Sequence, residues 1–101
     1  MRLQKKWGKE MIVFLAKDKP NSLELRLANR ENHLKHIEKV KNTGIIHFAG
    51  PLLDEEGKMC GSLIIFASED LQKIKDLVAQ DPYVQAGLFA STEFLRVKKI
   101  I

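Results

Sequence analysis

The chain has 101 residues, 45% of them hydrophobic and 30% charged, which suits one globular domain with a modest core and leaves no room for a second. Its longest apolar runs, such as Met11 to Ala16 and Leu63 to Ala67, are far shorter than the roughly 20 residues of a membrane-spanning helix, and the opening decapeptide lacks the apolar stretch of a secretory signal. A soluble, cytoplasmic protein is expected. The single cysteine, Cys60, has no internal disulfide partner, and there are too few Cys and His residues for a zinc site of ordinary spacing.

The net charge of +4 is unevenly placed: residues 1–10 hold four basic side chains and one acidic, and the remainder carries 13 basic against 12 acidic. A near-neutral domain at 11–101 does not have the electrostatic footprint of a nucleic-acid binder. Residues 1–10 read as a frayed basic lead, with Met11 a candidate natural start.

Met11-Ile-Val-Phe-Leu-Ala16 is a β-branched and aromatic run that stops at Lys17-Asp-Lys-Pro20, a strand followed by a turn. Asn21 or Ser22 can cap the helix that follows, with Glu24 in capping-box position after Asn21, and Leu23, Leu27, Leu34 and Ile37 recur at helical spacing. That helix should reach about Asn42 and end through Gly44. Ile45–Ala49 and Leu63–Ala67 read as strands joined in a hairpin by Asp54-Glu-Glu-Gly57. Ser68 can cap a second helix bearing Leu71, Ile74, Leu77 and Val78, closed by Asp81-Pro82, and Ser91–Val97 alternates as a last strand.

The order βαββαβ is the ferredoxin-like split arrangement, an α+β fold with two helices on one face of a four-stranded antiparallel sheet. The first and third strands are apolar on both sides, so the second face needs a cover, and the simplest cover is another copy packed sheet to sheet. A homodimer is expected, with higher assembly left open.

Several residues break the apolar pattern. At 100° per residue Arg30 falls inside the leucine stripe of the first helix, and His33 falls at its edge beside Arg26 and Ile37. Arg30 is either a snorkelling structural cation or an anion clamp. His36 should be solvated, and His47, inside an apolar strand, should be packed. Asp81 sits where the second helix ends and the dipole disfavours a carboxylate. Read singly, His33 is an edge histidine and Asp81 a turn residue; read together they form a dyad in which the carboxylate orients an imidazole. Gly50-Pro51 marks a bend at a strand end where a ligand could approach, and Gly61-Ser62 could offer a hydroxyl to the same place. Cys60 has no cationic neighbour in sequence that would make a reactive thiolate.

In this order Arg30-Glu-Asn-His33, Gly50-Pro51, Gly61-Ser62, Asp81-Pro-Tyr83 and Gly87 resemble the YCII-related family over Met11 to about Lys99. The resemblance implies a dimeric α/β-barrel relative with an active site around His33 and Asp81, and with Arg30, Ser62, Pro51 and Tyr83 as substrate-binding residues. It also implies chemistry without metal or other cofactor. One type of member resembles dehydrochlorinases of chlorinated hydroxyquinols, and related barrels include lactone isomerases. The expected function is thus a lyase or isomerase in which His33 moves a proton on a small hydroxylated or acidic, and in some members aromatic, metabolite. The rival expectation is a non-catalytic dimer that binds a small molecule. Single-stranded RNA binding on the sheet is disfavoured, because the strands lack the aromatic motif that stacks bases and Trp7 lies in the lead.

Overall fold

The computed structural model describes residues 9–101, so the expectations for the basic lead lie almost wholly outside the described residues. Seven elements follow one another: β1 (Glu10–Asp18), α1 (Leu23–Lys41), β2 (Ile46–Leu53), β3 (Met59–Phe66), α2 (Leu71–Ala79), α3 (Pro82–Gln85) and β4 (Phe89–Lys98). The sheet is antiparallel with strand order β2-β3-β1-β4, the ferredoxin-like arrangement expected. The short α3 is an addition to that expectation.

β1 and β3 are the central strands, and the residues they direct toward the helices form the core. Ile12, Phe14 and Ala16 alternate with Ile64 and Phe66, and are covered by Val40 of α1 and by Ile74 and Val78 of α2. Phe14 meets Phe94 at 5.2 Å between ring centroids and Phe89 at 6.0 Å, which ties β4 to the centre. The alternation continues to Asp18, which therefore points to the helix side although it closes a polar turn sequence.

β2 runs on from Ile46 through Gly50 and Pro51 to Leu53, so Gly50-Pro51 is strand and not the bend expected at a strand end. β2 is an edge strand, where a residue without an N–H can face outward at little cost. Two register shifts, at Ile46/Phe48 and Leu52/Leu53, bend it, and the first leaves His47 exposed instead of packed. β3 likewise begins earlier than expected, at Met59, which puts Gly61 and Ser62 inside the strand with Ser62 opposite Pro51. In the hairpin the Asp54 carboxylate accepts from the N–H groups of Glu56 and Lys58, and Gly57 takes φ 80°.

The caps also differ in detail. Asn21 adopts φ 58° and Ser22 stands at the N-cap of α1 without a side-chain bond to it, donating to the Pro20 carbonyl instead, so the expected capping box is not made. α2 is capped by Asp70, whose carboxylate accepts from the Lys73 N–H; the Ser68 hydroxyl accepts from Asp70 N–H one step earlier.

α1 is rotated relative to the leucine stripe. Its buried positions are Arg26 and Val40, with His33 midway between them, a heptad spacing that lies roughly 100° round the helix from the leucines at 3.6 residues per turn. Leu23, Leu27 and Leu34 are exposed, and Arg30 is exposed with them instead of facing the core. His36, expected in solvent, is half-buried against Val40, Leu77 and Val78. Arg26 and His33 can turn inward because a carboxylate waits for each.

Candidate active site

The two carboxylates come from opposite ends of the chain. Asp18 extends the helix-facing series of β1, and its two oxygens take Nε and Nη2 of Arg26 at 2.7 and 2.9 Å in a bidentate pair. The same Nη2 donates to Ser62 Oγ at 2.9 Å. Arg26 and Ser62 are buried and Asp18 nearly so. Burial alone would lower the guanidinium's affinity for its proton, but the hydrogen bonds and charge of Asp18 outweigh it and Arg26 is raised above its ordinary value.

Asp81 is the N-cap of α3. The sequence places it at the unfavourable C-terminal end of the second helix, as a turn residue or as the carboxylate of a dyad. Instead α2 stops at Ala79, and the Asp81 carboxylate accepts from the Tyr83 N–H at 2.9 Å at the start of a new helix led by Pro82. Both of its oxygens lie 2.9 and 3.0 Å from Nδ1 of His33, and Asp81 is 2% exposed. In the tautomer that carries its proton on Nδ1, the imidazole donates to this carboxylate and the Nε2 lone pair is left free.

Tyr83 joins the two pairs. Its ring stacks on the His33 imidazole at 3.9 Å and 14°, and the Arg26 guanidinium carbon lies 4.6 Å from its centroid. Burial pushes the phenol's pKa up, against the opposing charges of Arg26 and Arg30.

Beside these groups opens a cavity of about 230 Å³ between α1 and the β2–β3 ladder. Its helix wall is Arg26, Arg30, His33, Leu34 and Ile37; Ala49, Gly50 and Pro51 form the other wall, and Met59, Ser62, Ile64 and Tyr83 complete it. All the substrate-binding candidates, Arg30, Ser62, Pro51 and Tyr83, thus border one space with His33, while Asp81 stands behind the imidazole. Arg30 has no carboxylate partner among the described residues and lies at the solvent side. Among the described residues no three His, Cys, Asp or Glu side chains converge so as to hold a metal ion. The site combines an imidazole held by a carboxylate, a bidentate ion pair and an exposed guanidinium around a hollow lined partly by aliphatic side chains.

Asp18 and Arg26 were not among the candidates read from the sequence. Two signals point to them: Asp18 keeps the period-two phase of Ile12, Phe14 and Ala16, and Arg26, His33 and Val40 share one heptad line.

The model of the YCII-related domain matches residues 11–98. The chain is 40% identical over 94 residues to an uncharacterized protein of Haemophilus influenzae, spanning 87% of this chain and 96% of that one. It is 30% identical over 96 residues to Protein YciI of Escherichia coli, spanning 89% and 98% respectively. Among solved structures it is similar to 5-chloro-2-hydroxyhydroquinone dehydrochlorinase (TftG) of Burkholderia phenoliruptrix AC1100, in complex with 2,5-dihydroxybenzoquinone. That likeness has a TM-score of 0.78 and 33% identity, and covers 87% of this chain and 93% of the other. No helix among the described residues is long and apolar enough to cross a membrane.

Proposed function

The chain belongs to the YCII-related family, and we propose that it is a lyase or isomerase of small hydroxylated or acidic ring compounds, with His33 as general acid/base. The observation that carries this reading is the His33 Nδ1–Asp81 contact beside a ring-sized cavity. A base useful near neutral pH must present a lone pair in a fixed direction, and Asp81 would accomplish this by accepting a hydrogen bond from Nδ1–H, which keeps the proton on that nitrogen. Stacking on Tyr83 fixes the imidazole plane.

The likeness to a dehydrochlorinase supports the lyase branch. Net loss of HCl from a chlorinated hydroxyquinol moves two hydroxyl protons: one is transferred to the chlorine-bearing ring carbon, giving a keto tautomer, and a base takes the second while the C–Cl bond breaks and chloride departs with its electron pair, leaving a hydroxyquinone. In this chain Nε2 of His33 would take that second proton, and the buried Asp81 carboxylate would stabilise the imidazolium that results. Arg30 or Ser62 would engage an oxygen that gains negative charge. An isomerase would use the same base and return the proton to another atom.

The test is chloride release from 5-chloro-2-hydroxyhydroquinone under anoxic conditions. Replacement His33→Ala should lower turnover by about 10²- to 10⁴-fold, the usual worth of a positioned acid/base, with melting temperature little changed. Undiminished turnover in that variant sinks the mechanism. A wild type that binds 2,5-dihydroxybenzoquinone and turns over nothing favours the binding-protein alternative.

A further inference from the structure

We propose that the Ser62 hydroxyl is the donor that receives a ligand oxyanion, and that Asp18 and Arg26 are positioning residues which hold it in that role; this rests on the reading of the cavity as the site for a hydroxylated or acidic ring compound. Arg30 and Ser62 are not equivalent candidates for such an oxygen. A guanidinium donates and cannot accept, so the 2.9 Å contact from Arg26 Nη2 fixes Ser62 Oγ as the acceptor of that bond. The Ser62 proton must then go elsewhere. Among the described residues no protein group accepts it, and Ser62 borders the cavity. Its O–H is thereby a donor with an assigned partner on one side and an open position on the other, which is what an oxyanion site requires.

Arg26 can hold this direction because it is itself held. Two of its N–H groups are locked to Asp18 at 2.7 and 2.9 Å, and its guanidinium lies against the Tyr83 ring. The fork cannot swing away from Ser62 without breaking a buried ion pair. Asp18 also cancels the charge of Arg26, so the pair polarises the serine hydroxyl without itself adding net charge to the cavity. That leaves Arg30, unpaired at the solvent side, as the net positive charge a ligand meets on entry. The division of labour is attraction by Arg30 and orientation by Ser62. The ligand class that satisfies both, in about 230 Å³, is a single ring bearing an ionised oxygen, such as a hydroxyquinone or a phenolate.

Titration calorimetry with 2,5-dihydroxybenzoquinone tests the assignment on the full chain. Ser62→Ala should weaken binding by about 10- to 100-fold, the range for a hydrogen bond to a charged group. Arg26→Lys, which keeps the charge and loses the fork, should weaken it by about tenfold. The decisive reading is their coupling: in the Ser62→Ala background, Arg26→Lys should change affinity by less than about twofold. A merely structural Arg26 would multiply its effect on affinity with that of Ser62→Ala, and that result, whatever the melting temperature of the variant, overturns the positioning role. Asp18→Asn supplies the same comparison if Arg26→Lys does not fold. Unchanged binding in Ser62→Ala, or no binding of the quinone by the wild type, overturns the oxyanion assignment. Failure here with turnover still dependent on His33 would leave the acid/base reading standing. Intact Ser62 dependence with no His33 dependence would do the reverse.

Discussion

Three buried side chains govern how the site is held: Arg26, Asp81 and Tyr83. Removing one member of a buried, hydrogen-bonded ion pair costs about 3–5 kcal/mol because its partner is stranded, so Asp18 and Arg26 act on stability as well as on Ser62. Tyr83 makes a separate prediction from its raised pKa, which burial causes. Below tyrosine's ordinary value near 10 both folded and unfolded states keep the phenol proton, and stability is insensitive to this group. Above that value the unfolded chain ionises first while the folded one still holds the proton. Fewer protons on the unfolded state give a negative slope of unfolding free energy with pH, so stability falls as pH climbs toward the folded value. Tyr83→Phe should therefore flatten this alkaline limb. Urea melts from pH 8 to 11 check it, and parallel curves for the two proteins would show that Tyr83 is not the group responsible.

At the scale of elements, the approach of three strands at Gly61 is the tightest constraint on the site. A Cβ there would land on the Ala16 carbonyl oxygen and within 2.7 Å of Leu52 Cδ1, and the backbone oxygen of a central strand cannot yield. Gly61→Ala should cost about 1–3 kcal/mol or more by overpacking, seen as a lower urea midpoint with an unchanged slope; a midpoint equal to wild type would mean that the strands part freely. The sequence made the strand and helix order legible because β1 and β3 are continuous apolar runs and the turns carry Gly, Pro and Asp. It misled wherever polar groups turn inward. The leucine line of α1 is the stronger hydrophobic signal, yet Arg26 is buried and His33 half-buried in its place, since Asp18 and Asp81 satisfy them from elements 8 and 48 residues away. Local periodicity carries no information about such partners. Pro51 inside a strand and Asp81 at a cap failed for a related reason: edge position and the start of a four-residue helix are set by what lies beside the segment, not within it.

At the scale of the whole molecule, the helices of the described residues leave one side of the sheet uncovered. Val13 and Leu15 of β1 stand beside Leu63 and Ile65 of β3 on that side, with Leu95 and Val97 of β4 flanking them, and Phe48 of β2 is 50% exposed. Val13 and Leu15 are only half-buried although β1 is a central strand, because none of the described residues lies over them. Residues apolar on both faces are the pattern of a sheet covered on both sides, and a second copy packed sheet to sheet would cover this one with a surface of matching character. The cavity lies on the helix side, so association through the open face leaves its mouth clear. Sedimentation at tens of micromolar should find the wild type as a dimer. Val13→Arg, which plants a charge between Ile65 and Leu95, should give a monomer that keeps its circular dichroism, since the side chain points away from the core of Phe14 and Ile64. A wild type that sediments as a monomer, or a Val13→Arg variant that still pairs, would place the dimer contact elsewhere or remove it.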